Sequence, residues 1–175
     1  MVGHQSLHRH PLARLIWCLV GAACAIALAL FLVGPPNAAF VLASLGGSSV
    51  FLFGLTRAPA AQPRALFGGH LLGALAGIVC FQFLGTGLLA YASAVALALG
   101  LMLATRTVHP PAGANPIIMV YAHAQWSALL FPVFTGVAVL AAVAVLWSRL
   151  YPGLAHYPVS AMEPSPTTLN WGGWE

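Results

Sequence analysis

From Met1 to Met162 this chain of 175 residues carries no carboxylate side chain, because its two acids, Glu163 and Glu175, both fall near the end. A surface facing water needs charge of both signs, and an ordinary soluble domain is roughly 25% charged. Here charged residues make up 5% and apolar ones 61%. A soluble enzyme is excluded, and so is disorder, which requires low hydrophobicity. The net charge of +4 reflects missing acids, not a basic face that could follow phosphates, so no nucleic-acid partner is expected. The lipid bilayer is the solvent that fits, and at about 20 residues per crossing the chain has room for at most about six spans.

The first apolar run, Leu12 to Val33, is long enough to cross. Its flank with Arg9 and Arg14 resembles a signal-peptide start, and Ala23-Cys24-Ala25 resembles a cleavage site. The run continues to Val33, however, so a retained helix is the reading. Gly34-Pro35-Pro36-Asn37 ends it. The next stretch, Ala38 to Leu55, is interrupted by Gly46-Gly47-Ser48-Ser49. A polar loop with Arg57, Pro59, Pro63 and Arg64 precedes a run from Ala65 to Leu84. The turn Gly85-Thr86-Gly87 then leads to Leu88–Thr105. Residues 106–116 hold too much proline for one helix. They lead into the short run Ile117–Ala122, and a last span, Trp126 to Trp147, is closed by Arg149.

The expected class is an all-α integral membrane bundle of four full spans plus two broken crossings. Residues 1–11 would form a cytoplasmic tail and 12–149 the transmembrane domain, in halves 12–84 and 88–149. Residues 150–175 would be a mobile, Pro-rich tail. If both interrupted stretches cross, all six arginines share one side, as the positive-inside rule asks. Both termini then face the cytoplasm, across a membrane expected to be the bacterial plasma membrane. Four spans with two re-entrant loops is the alternative. Three crossings per half make the second half inverted relative to the first, and paired broken segments point to a transport pathway near the midplane.

Asn115-Pro116 combines an N-cap residue with proline at the first helical position. A helix from there to Ala124 covers roughly 13 Å, which sets Asn115 near mid-depth. Ser48 reaches a similar depth after Gly46-Gly47. Two half-helix N-termini would then face a shared centre, with dipole ends that favour anions. Around it the candidate pathway residues are Ser48, Ser49, Arg64, His70, Arg106, Thr107, His109, Pro110, Pro111, Gly113 and Asn115. His109 reads either as an anion-attracting or proton-carrying group, or as a cap bonding backbone carbonyls. Gly69, Gly73 and Gly77 make a GxxxGxxxG face for close helix packing, within one protomer or in a homo-oligomer. The histidine spacings match no metal site, and no cofactor is expected. Without acids in the spans, a small anion suits the pathway better than a cation.

These residues also carry a resemblance. TVHPPAGANP at 107–116 resembles the signature of the HPP family of small integral membrane proteins. GGSSVFLFG at 46–54, AQPR at 61–64, GGH at 68–70 and Tyr157-Pro158 extend it over residues 12–158. The resemblance implies a four-helix membrane protein. Because plastid and cyanobacterial members are associated with nitrite transport, it also implies a nitrite-type anion carrier. Asn115 stands where the motif commonly has Thr or a similar residue, a departure that bears on selectivity. Two further functions compete with transport. One is a structural or assembly subunit packing through the glycine face. The other is an intramembrane serine hydrolase, with Ser48 as nucleophile and His70 or His109 as base.

Overall fold

A computed structural model describes residues 11–33 and 43–168. The expected N-terminal tail before Pro11, the Gly34-Pro35-Pro36-Asn37 break and residues 169–175 lie outside the described residues. Helix α1, Pro11–Val33, starts with proline at its first position, where a missing N–H costs nothing. The short helix α2, Ala43–Ser49, runs on into a π-turn, Val50–Gly54. After a 3-10 turn at Pro59–Ala61 come α3, Pro63–Leu84, and α4, Leu88–Thr105. Gly85, with φ +72° and ψ −136°, ends α3 in a conformation that a residue without a Cβ adopts freely. Residues Pro110–Ala114 form a 3-10 turn that feeds α5, Asn115–Tyr121. A π-turn at Leu129–Phe134 then leads into α6, Thr135–Leu150.

Among the described residues four helical stretches are long and apolar enough to cross a membrane: α1, α3, α4 and Leu129–Leu150. The last is not the continuous span read from Trp126 to Trp147. Phe131 leaves the helical region at φ −136°, ψ 112°, next to Pro132. Proline has no N–H for the helical ladder and clashes with the preceding turn, so the helix restarts beyond it. Small residues set how the spans pack. Gly21, Ala25 and Ala29, with Val33, line the buried face of α1; the last three cluster with Leu140, Ala141 and Ala144 of α6, and Gly21 faces Trp147. Ala90, Ala94 and Ala98, with Met102, do the same for α4. Such four-residue spacing lets backbones approach where lipid supplies no hydrophobic drive between helices. The opposite faces, Leu15, Leu19 and Phe31 of α1 or Leu97 and Leu99 of α4, are exposed, as lipid contact requires.

The described arginines gather at one end of the bundle. Arg14 at the start of α1 and Arg57 beyond the π-turn line one cleft with Ser148, Gly153 and Ala155. Arg64 donates to the Thr105 carbonyl, Arg106 to that of Pro166, and Arg149 to that of Tyr157. From that end α1 and α3 lead away, while the α2 stretch, α4 and α6 return to it. The remaining segment, 107–121, runs parallel to α3. Gly69 meets His109, Gly73 meets Ala112 and Asn115, and Gly77 meets Pro116 and Met119. Phe81 stacks on His123 at 5.0 Å further along. The segment therefore crosses and does not re-enter, and the two halves run in opposite senses.

Over its described residues, up to 168, the tail is not the loose segment its composition suggests. Tyr157 is buried, and Gln62 Oε1 accepts from the Val159 and Ser160 N–H groups. Ser165 accepts from the Val108 N–H and donates to the Arg106 carbonyl, forming a β-bridge with Thr107. Backbone groups left over by the proline-rich crossing find their partners there.

Candidate functional site

Four polar side chains from four stretches of chain meet inside this apolar bundle. Ser48 comes from α2, His70 from α3, His109 from the residue before the 3-10 turn and Asn115 from the start of α5. Each is at most 1% exposed. At 1.5 Å per residue along α3, the positions facing Gly69 and Gly73 lie roughly 9 and 15 Å from the helix start, in the half of the membrane nearest the arginine end.

The glycine face makes this meeting possible. A Cβ on Gly69 would come within 2.8 Å of His109 Cβ, one on Gly73 within 2.7 Å of the Ala112 carbonyl, and one on Gly77 within 2.6 Å of the Pro116 carbonyl. The stripe thus seats the 107–121 crossing within the same chain. Gly47 does the same from the other side, since a Cβ there would come within 2.9 Å of Pro111 Cβ.

The hydrogen bonds have a definite sense. His109 Nδ1 lies 2.6 Å from the Ala60 carbonyl, which can only accept, so Nδ1 carries a hydrogen. Asn115 Nδ2 donates at 2.9 Å to the His70 carbonyl and at 3.0 Å to His70 Nδ1. The carbonyl fixes which end of the amide is nitrogen, so His70 Nδ1 is an acceptor and its ring hydrogen sits on Nε2. Both Nε2 atoms lie 2.8 Å from Ser48 Oγ. The neutral network therefore reads from His70 Nε2–H to Ser48, and from the Ser48 hydroxyl to His109 Nε2. Ser48 Oγ has a second acceptor in reach, the Ser44 carbonyl at 3.1 Å. Asn115 Oδ1 is buried and unpartnered.

This geometry corrects the picture of two opposed half-helix N-termini. Ser48 lies inside α2, which continues through Gly46-Gly47 without a break. In lipid an interrupted helix would leave N–H and C=O groups with no water to turn to, so glycine alone does not stop it. Asn115 has helical backbone angles and follows a 3-10 turn, and its side chain bonds His70 instead of capping its own helix.

Several other candidates stand apart from the four. Ser49 bonds the Gly46 carbonyl, and Thr107 bonds Thr105 and packs on Gly68. Arg64 and Arg106 hold backbone carbonyls at the arginine end and do not reach the centre. Arg106, at φ 55°, caps α4 in a left-handed conformation. Pro110 is exposed, Pro111 packs on Gly47, and Gly113 is exposed with nothing near it. Sequence reasoning passed over the Ala60 and Ser44 carbonyls and the Phe51 ring, 5.4 Å from that of His109. Ser44 had a signal: it lies one helical turn before Ser48. Ala60 had none, since a backbone carbonyl leaves no mark on residue type.

Among the described residues no group of three or more His, Cys, Asp or Glu is placed to hold a metal. A cleft of about 570 Å³ lies elsewhere, at the arginine end, and touches none of the four central side chains.

A family model described as "HPP, transmembrane region" matches residues 7–158. Two proteins of Dictyostelium discoideum, each named only as a transmembrane protein, are similar to the chain. One is 33% identical over 61% of this chain and 40% of its own length. The other is 38% identical over 57% of this chain and 33% of its own. The chain thus spans well under half the length of these curated relatives. No solved structure matches.

Proposed function

The chain belongs to the HPP family of integral membrane proteins, and on that premise we propose that it is a permease for a small inorganic anion, with nitrite the favoured substrate. The observation that carries this reading is the buried meeting of Ser48, His70, His109 and Asn115 in a membrane interior that lacks carboxylates. Polar and ionisable groups are costly in lipid, and they persist there mainly where a solute or proton must pass. The centre is built of a hydroxyl, two imidazoles and an amide, whose donors bond one another and nearby carbonyls in the closed state and would turn to a small acceptor such as an oxyanion when that network opens. It offers no carboxylate for a cation. The arginine end would concentrate anions near one mouth of the pathway. By the positive-inside rule that end faces the cytoplasm, with both termini on that side. In this reading the anion meets the histidine centre, while Arg64 and Arg106 act only at the rim.

The test is nitrite uptake into proteoliposomes by wild type and single variants. His109→Ala and Asn115→Ala should lower uptake at least tenfold. Arg106→Gln, which removes only contacts to the tail, should keep most of it. Wild-type flux in both His109→Ala and Asn115→Ala would refute this site. A serine hydrolase is the second reading, because Ser48 Oγ lies 2.8 Å from two imidazole nitrogens. Against it, Ser48 is fully buried. Fluorophosphonate labelling of Ser48 would favour the hydrolase; inert Ser48 beside anion flux would favour the permease.

A further inference from the structure

The same four side chains can take up one proton without leaving any of the bonded groups unpaired. In the neutral network the Ser48 hydroxyl donates to His109 Nε2 and accepts from His70 Nε2–H. If a proton binds His109 Nε2, that nitrogen becomes a donor to Ser48 Oγ. The Ser48 hydrogen then has somewhere else to go, the Ser44 carbonyl at 3.1 Å. Ser48 Oγ accepts from both imidazoles, one on each lone pair, and His109 Nδ1–H keeps the Ala60 carbonyl. His70 cannot do this as easily. Its free nitrogen, Nδ1, faces the Asn115 amide hydrogens, and turning that amide over would press Oδ1 against the His70 carbonyl.

We propose that this centre is a one-proton store, with His109 Nε2 as the site and the Ser48 hydroxyl as a rotor between His109 and the Ser44 carbonyl. The proposal rests on the permease reading in one respect: the stored proton accompanies the anion, so that the two cross together without net charge. The step balances simply. A proton from water at the membrane face forms the N–H bond at His109 Nε2, and the O–H···N bond from Ser48 is replaced by O–H···O=C to Ser44. The proton leaves by the reverse step on the other side.

The surroundings of His109 leave little else to titrate. The α2 stretch presents Ser48 and Phe51, the 3-10 turn presents the Ala60 carbonyl, and α3 presents Gly69 and His70. Only His70 among them is ionisable. The guanidinium groups of Arg64 and Arg106 are held on carbonyls at the arginine end. No carboxylate precedes Glu163. An imidazolium here has no fixed counter-ion, so a mobile anion is the partner that would neutralise it.

Two measurements test the store and the coupling separately. Nitrogen-15 histidine NMR of the protein in lipid bilayers, without substrate, reads tautomers and protonation, with His70→Gln and His109→Gln assigning the signals. At alkaline pH His109 should carry its hydrogen on Nδ1 and His70 on Nε2. On acidification His109 should become doubly protonated while His70 stays neutral. The opposite tautomers, or protonation of His70 first, would overturn the store.

In proteoliposomes a pH gradient should drive nitrite uptake with about one proton per anion, and an imposed membrane potential should change the rate less than twofold. Uptake that follows the potential and ignores the pH gradient would overturn the coupling. Ser48→Thr, which keeps the hydroxyl, should retain pH-driven uptake, and Ser48→Ala should lose at least tenfold. Equal rates in the two variants would remove the rotor. If wild type moves no anion, the permease reading and the coupling fall together, while the NMR result still decides the store.

Discussion

The two broken crossings do the same job by opposite means. The α2 stretch stays helical through Gly46-Gly47 and loosens only at its end, in the Val50–Gly54 π-turn. The 107–121 crossing begins as extended chain, tightens into a 3-10 turn at Pro110–Ala114 and becomes α-helical only from Asn115. The first presents Ser48 from a regular helix face. The second gains its irregular path by lying in the glycine groove of α3 and borrowing backbone partners from the tail. Proline removes the N–H that a helix needs, whereas glycine only makes the helix less rigid. Inside lipid that distinction decides which element breaks.

Substitutions in each crossing test this contrast. The largest effect is expected at Gly73. A leucine there meets the Ala112 carbonyl, with even its Cβ at 2.7 Å, and the irregular crossing loses its seat. Overpacking of this kind costs about 1–3 kcal/mol, sometimes more, so Gly73→Leu should sharply reduce the monodisperse protein recovered in detergent. Normal recovery and melting would mean that the groove does not hold the crossing. Ser48→Ala comes next. It leaves the His70 and His109 Nε2 atoms without their shared partner, at about 1–3 kcal/mol for each unsatisfied group. A lower melting temperature than wild type is expected, with Ser48→Thr restoring most of the difference. The smallest effect is at Gly46, where nothing lies within 4 Å of an added Cβ. Gly46→Ala should leave the fold intact and stabilise the helix by roughly 0.5–1 kcal/mol. A strong loss there would mean that α2 does break at its glycine pair.

Much of the fold was legible because lipid imposes simple demands. The absence of acids before Glu163 pointed to the membrane, and run lengths located α1, α3 and α4 to within two residues of their ends. The proline-rich 107–116 stretch announced an irregular crossing, and the GxxxGxxxG face announced close packing. What remained hidden depends on contacts between distant residues. Nothing local to Gly69, Gly73 and Gly77 says that their partner is the 107–121 crossing. Nothing in Pro152–Ser165 says that a polar, proline-rich tail will bond Gln62, Arg64 and Val108. The alanine-lined faces of α1 (Ala25, Ala29) and α4 (Ala90, Ala94, Ala98) had no distinct signal, because alanine is common in any membrane helix. At the site, Ser48, His70, His109 and Asn115 were all singled out, but for the wrong geometry. Their side chains bond one another, and neither half-helix start is free.

The bridge between Thr107 and Ser165 also sets a timetable for synthesis. The Val108 backbone and its Ser165 partner are 57 residues apart, so ribosomes adding roughly 5–20 residues per second need about 3–11 s to make the second after the first. During that interval the Val108 N–H and the Arg106 carbonyl lack the partners that Ser165 supplies. The polar centre draws its own bonds from Ser44, Ala60 and its four side chains, so what the late bond completes is the entrance to the crossing and not the centre itself.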